Sequence, residues 1–197
     1  MSRVIAFFDF DGTITSKDSL LEFIKYSKGD FAFYAGFALH APVLVAYKLQ
    51  IISNQRAKEI MLRFFFGKMK VEEFEELCRN FSADVMPMLI REKALKEISK
   101  LQDSGADVVV VSASPENWLV QWCNSIGVKC IATRMLFNDN RVTGKIDGQN
   151  CHGKEKVRRI KELYDLDSYS KIYCYGDTPG DRYMLSLGNY RFYKPFR

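Results

Sequence analysis

The sequence predicts an α/β fold: a parallel sheet core with a helical cap inserted directly after the first strand. Three observations carry this reading. Residues 4–8 (VIAFF), 108–111 (VVVV) and 172–175 (IYCY) are near-continuously apolar, the pattern of strands buried on both faces instead of one. Helical patterns alternate with them, as a parallel sheet requires. Between residues 16 and 87 no such strand occurs, and the apolar residues suit several helices.

Taken in order, residues 4–8 form the first strand and run into Asp9. The block 16–87 follows as the cap, with 71–81 as one of its helices, while 1–15 and 88–197 make the core. Within the cap, residues 31–47 are 17 positions without a formal charge, between Asp30 and Lys48. A bilayer span needs about 20 predominantly apolar residues, and His40 and Pro42 interrupt this stretch. It reads as a buried pair of cap helices divided at Pro42, with a lipid-facing surface or a membrane span as the alternatives. Beyond the cap the pattern gives a helix over 89–101, the strand 108–111, a helix over 116–125, a strand over 128–132 and a polar, turn-rich hairpin over 134–148. A helix over 156–163 and the strand 172–175 complete the alternation.

Composition removes several classes. At 47% hydrophobic and 27% charged residues, disordered and low-complexity chains are excluded. The five cysteines, Cys78, Cys123, Cys130, Cys151 and Cys174, include no C-x-x-C pair, which argues against a disulfide framework or structural zinc and for a reducing compartment. No signal core of roughly 7–15 apolar residues precedes Asp9, so the expected location is cytoplasmic, with peripheral membrane association through the apolar cap as the alternative. The net charge of +5 speaks to encounter with anions more than to one partner. Its densest cluster, Lys154, Lys156, Arg158, Arg159 and Lys161, is broken by Glu155 and Glu162 and reads as a solvated helix face, so nucleic acid is not an expected partner.

Ligands of open α/β sheets bind beyond the carboxyl ends of the strands. There this chain places Asp9-Phe10-Asp11-Gly12-Thr13, then Ser112, then Gly176-Asp177 with Asp181. Carboxylates gathered at one rim repel one another. A hard divalent cation resolves the conflict, and the donor set, all oxygen with no His or Cys cluster, favours Mg²⁺. Asp9 and Asp11, two apart, can lie on one side of extended backbone, and Gly12 permits a sharp departure. One carboxylate can attack phosphorus while the other handles protons. Lys156, with Ile160 and Leu163 four and seven positions on, has the phase of an inward lysine; Lys154 competes for the same role.

These residues resemble the haloacid dehalogenase-like phosphohydrolases, specifically their phosphoserine-phosphatase-like branch. The resemblance rests on residues 7–13 (FFDFDGT), 110–112 (VVS), 153–157 (GKEKV) and Gly176-Asp177 with Asp181. It implies a Rossmann-like core, a phosphomonoesterase with Asp9 as nucleophile and Asp11 as general acid/base, and a metal held by Asp9, Asp177 and the Asp11 carbonyl. It also implies that Asp181 supports the metal shell and that Ser112 and Lys156 bind phosphate. Asp11 favours phosphate esters over carbon–halogen bonds. Ser112-Ala113-Ser114-Pro115 departs from the two glycines that follow the serine in phosphoserine phosphatases, and Asp18 stands where they often place a glutamate. Residues 151–157 and the apolar cap also resemble phosphatidylglycerophosphate phosphatases, which makes a phosphorylated small molecule or a lipid phosphate the expected substrate. Outside hydrolysis, a phospho-accepting signalling domain and a non-catalytic lipid- or protein-binding relative are the competing readings; the long insertion argues against the first and the intact acids against the second.

Overall fold

The computed structural model describes residues 3–197; Met1 and Ser2, with which the expected core begins, lie outside the described residues. Strand β1 (Arg3–Phe8) is followed by helices α1 (Ser19–Leu39), α2 (Ala41–Lys48), α3 (Asn54–Phe66), α4 (Val71–Asp84), α5 (Met86–Leu89) and α6 (Glu92–Asp103). Then come β2 (Asp107–Pro115), α7 (Glu116–Ser125), β3 (Lys129–Thr133), β4 (Met135–Asn138), β5 (Arg141–Ile146), α8 (Lys154–Leu163), β6 (Tyr169–Gly176), α9 (Arg182–Leu185) and β7 (Tyr190–Tyr193).

Five strands form one parallel sheet in the order β3-β2-β1-β6-β7, and β4 with β5 makes a separate antiparallel hairpin. The apolar runs behave as continuous runs should. Ala6 and Phe8 of β1 enter one core with Val108, Val110 and Tyr175, while Ile5 and Phe7 enter the other with Val109, Val111, Ile172 and Cys174. A strand buried on both faces has room for no alternation, and each of the Val, Ile and Phe side chains gains about 1.5–3 kcal/mol on burial. Strand β7 escapes the sequence reading because YRFY is short and mostly exposed, the mark of an edge.

Register sets the rim. Phe8 stands opposite Val110 and Tyr175 on the two neighbouring strands. One step beyond Phe8 is Asp9, whose amide donates to the Tyr175 carbonyl at 2.9 Å; two steps beyond its neighbours are Ser112 and Asp177. The helical block joins this sheet through two crossings tied to each other, with Ser16 N–H donating to the Leu89 carbonyl and Arg91 N–H to the Ile14 carbonyl, both at 2.8 Å. That tie also corrects the expected helix over 89–101. Leu89 closes α5, Ile90 pairs with Thr15, and α6 starts only at Glu92. Helix α8 starts at Lys154, two residues before its expected position, so Lys154 lies within the helix.

The larger correction concerns residues 31–47. Helix α1 breaks at Gly29 (φ +79°), ends at Leu39, and meets α2 at a 60° bend with Pro42 in the first turn of α2. The expected division holds, but the expected burial does not: α2 contains no buried residue. The reason is that this stretch is apolar around its whole circumference. One face of α1, with Phe33 and Gly36, packs on α3, where a Cβ on Gly36 would stand 2.5 Å from the Phe65 ring; the opposite face is left outside. Among the described residues no single helix is long and apolar enough to cross a membrane, although α1 and α2 together reach that length and composition across their bend.

Candidate active site at the strand ends

Asp9 leaves β1 as a buried residue, 7% exposed. Its Oδ1 accepts from Lys156 Nζ at 2.6 Å and its Oδ2 from Thr13 Oγ1 at 3.0 Å. Lys156 comes from the first turn of α8, is 2% exposed, and donates also to Asp181 Oδ1 at 2.8 Å. This separates the two lysines: Lys154 is exposed and lies over the Tyr183 ring, whereas Lys156 is the cation in the acidic cluster. Burial pushes the Asp9 carboxyl up to about 7, with Asp181 and Asp11 adding to the rise and Lys156 opposing it. Burial alone would lower the Lys156 ammonium, but the carboxylates of Asp9 and Asp181 outweigh it and raise its pKa, so it stays charged.

Asp9, Asp177 and Asp181 each offer an oxygen within 4.8 Å of the others. Gly12 (φ +82°) makes the close approach possible, since a Cβ there would stand 2.5 Å from Asp177 Oδ2. Burial raises the Asp177 carboxyl, opposed by Arg197, whose guanidinium pairs with Oδ2. Asp181 differs from the other two. Its Oδ2 accepts from the amides of Asp177 (3.3 Å) and Thr178 (3.0 Å) and from Thr178 Oγ1 (2.8 Å). Burial pushes this carboxyl up, yet Lys156 and Thr178 outweigh it and hold it below the usual range. Its lone pairs are committed to folding the loop that carries Asp177. A hard cation fits this set: carboxylate oxygens, no sulfur or imidazole in the cluster, and a glycine where a side chain would fill the space.

Asp11 turns the other way from Asp9. Its Oδ1 accepts from Ser19 N–H at 2.7 Å and its Oδ2 from Ser114 Oγ at 2.5 Å, with Ser112 Oγ 3.5 Å from the same oxygen. Ser112 is fully buried, and its Oγ accepts from the Ser114 amide at 3.0 Å. Strand β2 runs on to Pro115, so Ser112 and Ser114 share one side of it. Behind them Trp118 Nε1 donates to Ser19 Oγ, which in turn donates to Ser114 Oγ, both at 3.2 Å.

A cleft of about 590 Å³ opens over these groups, lined by Asp9, Asp11, Ser114, Lys156 and Asp181 from the sheet side and by Asp18, Tyr47 and Lys58 from the helical block. Lys58 Nζ donates to the Ala113 carbonyl at 2.8 Å and to Asn150 Oδ1 at 3.2 Å. Burial lowers its pKa, opposed by Asp18 and Asp11. Asp18 caps α1, accepting from the Leu21 amide at 3.1 Å.

All the sequence-derived site residues therefore meet at one rim: Asp9, Asp11, Ser112, Lys156, Asp177 and Asp181. The sequence reading missed Thr13, Ser19, Ser114, Lys58 and Arg197. Thr13 and Ser114 lie inside recognised motifs, and their hydroxyls could have been flagged. Lys58 carries no local signal, since only the placement of α3 against β2 turns it inward.

The fold and this rim define a class, the hydrolases that work at the strand ends of a Rossmann-like sheet. Residues 6–186 match the haloacid dehalogenase-like hydrolase family, and the chain belongs to it. Among relatives, it is 34% identical to protein CicA of Caulobacter vibrioides, over 96% of this chain and 85% of that one. It is 29% identical to a probable phosphatase of Mycobacterium tuberculosis, over 93% of this chain and 66% of that one. Of solved structures, a Bordetella pertussis protein of unknown function superposes with a TM-score of 0.82 at 20% identity, covering 95% of this chain and 88% of that one. A phosphoserine phosphatase captured as a phospho-aspartyl intermediate analogue superposes with a TM-score of 0.69 at 14% identity, covering 95% and 84%. At such identities the two structures speak to the fold alone. Together these place the chain in the haloacid dehalogenase-like hydrolase family, on a fold that it shares with phosphoserine phosphatases.

Proposed function

We propose that the protein is a magnesium-dependent phosphomonoesterase that passes the phosphoryl group through Asp9, with residues 16–87 acting as a cap over a core of 1–15 and 88–197. The observation that carries this reading is the Asp9 carboxylate: buried at a strand end, 2.6 Å from Lys156 and within 4.8 Å of the Asp177 and Asp181 oxygens. Asp9 and Asp177, with the Asp11 carbonyl, would hold Mg²⁺, while Asp181 fixes the loop. When bound, the ion shields the charge on nucleophile and phosphate and polarises the phosphorus. One Asp9 oxygen attacks phosphorus, the ester oxygen leaves, and Asp11 gives that oxygen a proton. The same Asp11 then accepts a proton from the water that opens the aspartyl-phosphate. Ser112 and Lys156 bind the transferring oxygens, and Lys156 keeps its positive charge throughout. Asp18 and Lys58 face the leaving group from the cap.

Two substrate classes fit the cleft, a phosphorylated small molecule and a lipid phosphate of the phosphatidylglycerophosphate kind. The second is favoured by the exposed apolar residues beside Tyr47. Phosphate release from phosphoserine, sugar phosphates and phosphatidylglycerophosphate, with and without Mg²⁺, tests the reading. Asp9→Asn should lower release by more than about 10³-fold, and Asp177→Asn should raise the Mg²⁺ concentration needed. Unchanged turnover in Asp9→Asn contradicts the nucleophile. A single stoichiometric phosphorylation without turnover would point to a phospho-accepting domain instead.

A further inference from the structure

The outer face of the cap is built unlike the outer face of any core helix. In the second half of α1 the solvent side carries Phe31, Tyr34, Ala35, Ala38 and Leu39, spaced by three and four so that they form one stripe. None is polar apart from the Tyr34 hydroxyl, and Phe31 is 88% exposed. Around the 60° bend the surface continues through Val45, Leu49 and Ile51, the last 72% exposed. Helix α6 shows the ordinary arrangement, with Glu92, Lys93, Lys96 and Lys100 outward and Ala94 and Ile98 inward. Exposed apolar residues scattered singly need no explanation, but a continuous stripe does.

We propose that this surface, the second half of α1 with α2 and residues 49–51, docks on an anionic lipid bilayer. Charge selects that occupant. No Asp or Glu occurs from residue 31 to residue 58, while Lys48 and Arg56 stand exposed at the edge of the stripe. Asp30 stands exposed just before the stripe begins, but from Phe31 to Lys58 every formal charge is a cation, which complements anionic headgroups over acyl chains. The break at Gly29 and the 60° bend between α1 and α2 favour a segment that lies on a membrane over a straight span.

The surface is continuous with the cleft. Tyr47 and Gln50 line it and alternate with the outward Leu49 and Ile51, so docking would bring the mouth of the site to the headgroup layer. Docking needs no phosphoryl transfer, and the two can therefore be read separately.

Flotation of the full chain with vesicles tests this. The wild-type protein should float with vesicles of phosphatidylcholine mixed with phosphatidylglycerol and only weakly with phosphatidylcholine alone. The triple variant Phe31→Ser/Leu39→Ser/Ile51→Ser should partition at least about tenfold less, while its turnover of a soluble phosphomonoester and its thermal unfolding stay as in the wild type. Should that variant unfold, Lys48→Glu/Arg56→Glu gives a second arm, and it should abolish the preference for the anionic vesicles. Asp9→Asn should float like the wild type, so failure of the catalytic reading leaves this result standing. Absence of wild-type flotation, equal flotation of the triple variant, or a dimer that the triple variant dissociates without any vesicle binding would overturn the proposal.

Discussion

The floor of the cleft and the outer face of the cap invert the usual arrangement in opposite ways. At the floor, Asp9, Lys156 and Asp181 are charged groups inside the protein, each nearly fully buried and each paired. On the cap, Phe31, Leu39 and Ile51 are apolar groups outside it, each left mostly exposed. The floor is complete within the chain: three elements distant in sequence supply acid, cation and acid, and every charge finds a partner a hydrogen bond away. The cap face is left bare. On the readings proposed above, buried charge marks the place of the chemistry and bare apolar surface the place of contact with a bilayer.

This contrast has consequences for stability. Removing the cation from the floor should cost most. Lys156→Met leaves Asp9 and Asp181 facing each other in a buried site, so activity should vanish and thermal or urea unfolding should show a loss of about 3–5 kcal/mol. Adding Asp9→Asn to that variant should recover part of the loss, since the two groups couple directly; strictly additive costs would deny the pairing. An intermediate effect belongs to Glu155 on α8. Its hydrogen bond from Arg158, with Arg159 adding, holds its carboxyl down to about 2, against the opposing pull of burial. A depressed carboxyl contributes stability above its ordinary pKa and loses it as pH falls through the folded value. The wild type should therefore lose margin over Glu155→Gln between pH 4.5 and about 2, read from unfolding curves across that range. Smallest is Phe31→Ser, whose effect on unfolding should stay within about 0.5 kcal/mol. A large loss there would mean the side chain packs inward and the cap is not unfinished.

Much of this could be read before the fold was known. Runs buried on both faces announced β1, β2 and β6, because a central strand of a parallel sheet offers no wet side. The rim acids could be read for the same reason, since carboxylates directly after such runs must emerge at one edge. What stayed hidden depended on tertiary placement. Lys58 looks like any helical lysine until α3 lies against the end of β2. Asp11 and Asp9 share a motif, yet the Ser19 amide and Ser114 draw Asp11 aside in a way spacing does not encode. The 17 uncharged residues of the cap misled in the opposite sense: apolar length argued for burial, but a helix apolar all round can cover only one side of itself within a chain this small.

The central claim is that phosphorus passes through the Asp9 carboxylate, and a trapped acyl-phosphate tests it most directly. The protein would be quenched during turnover of a phosphomonoester with Mg²⁺, reduced with borohydride, and the Asp9 peptide read by mass spectrometry. Conversion of Asp9 to homoserine is expected only when substrate and Mg²⁺ are both present, and not in Asp9→Asn. Sustained turnover with Asp9 unmodified, or the label on another carboxylate, would contradict it.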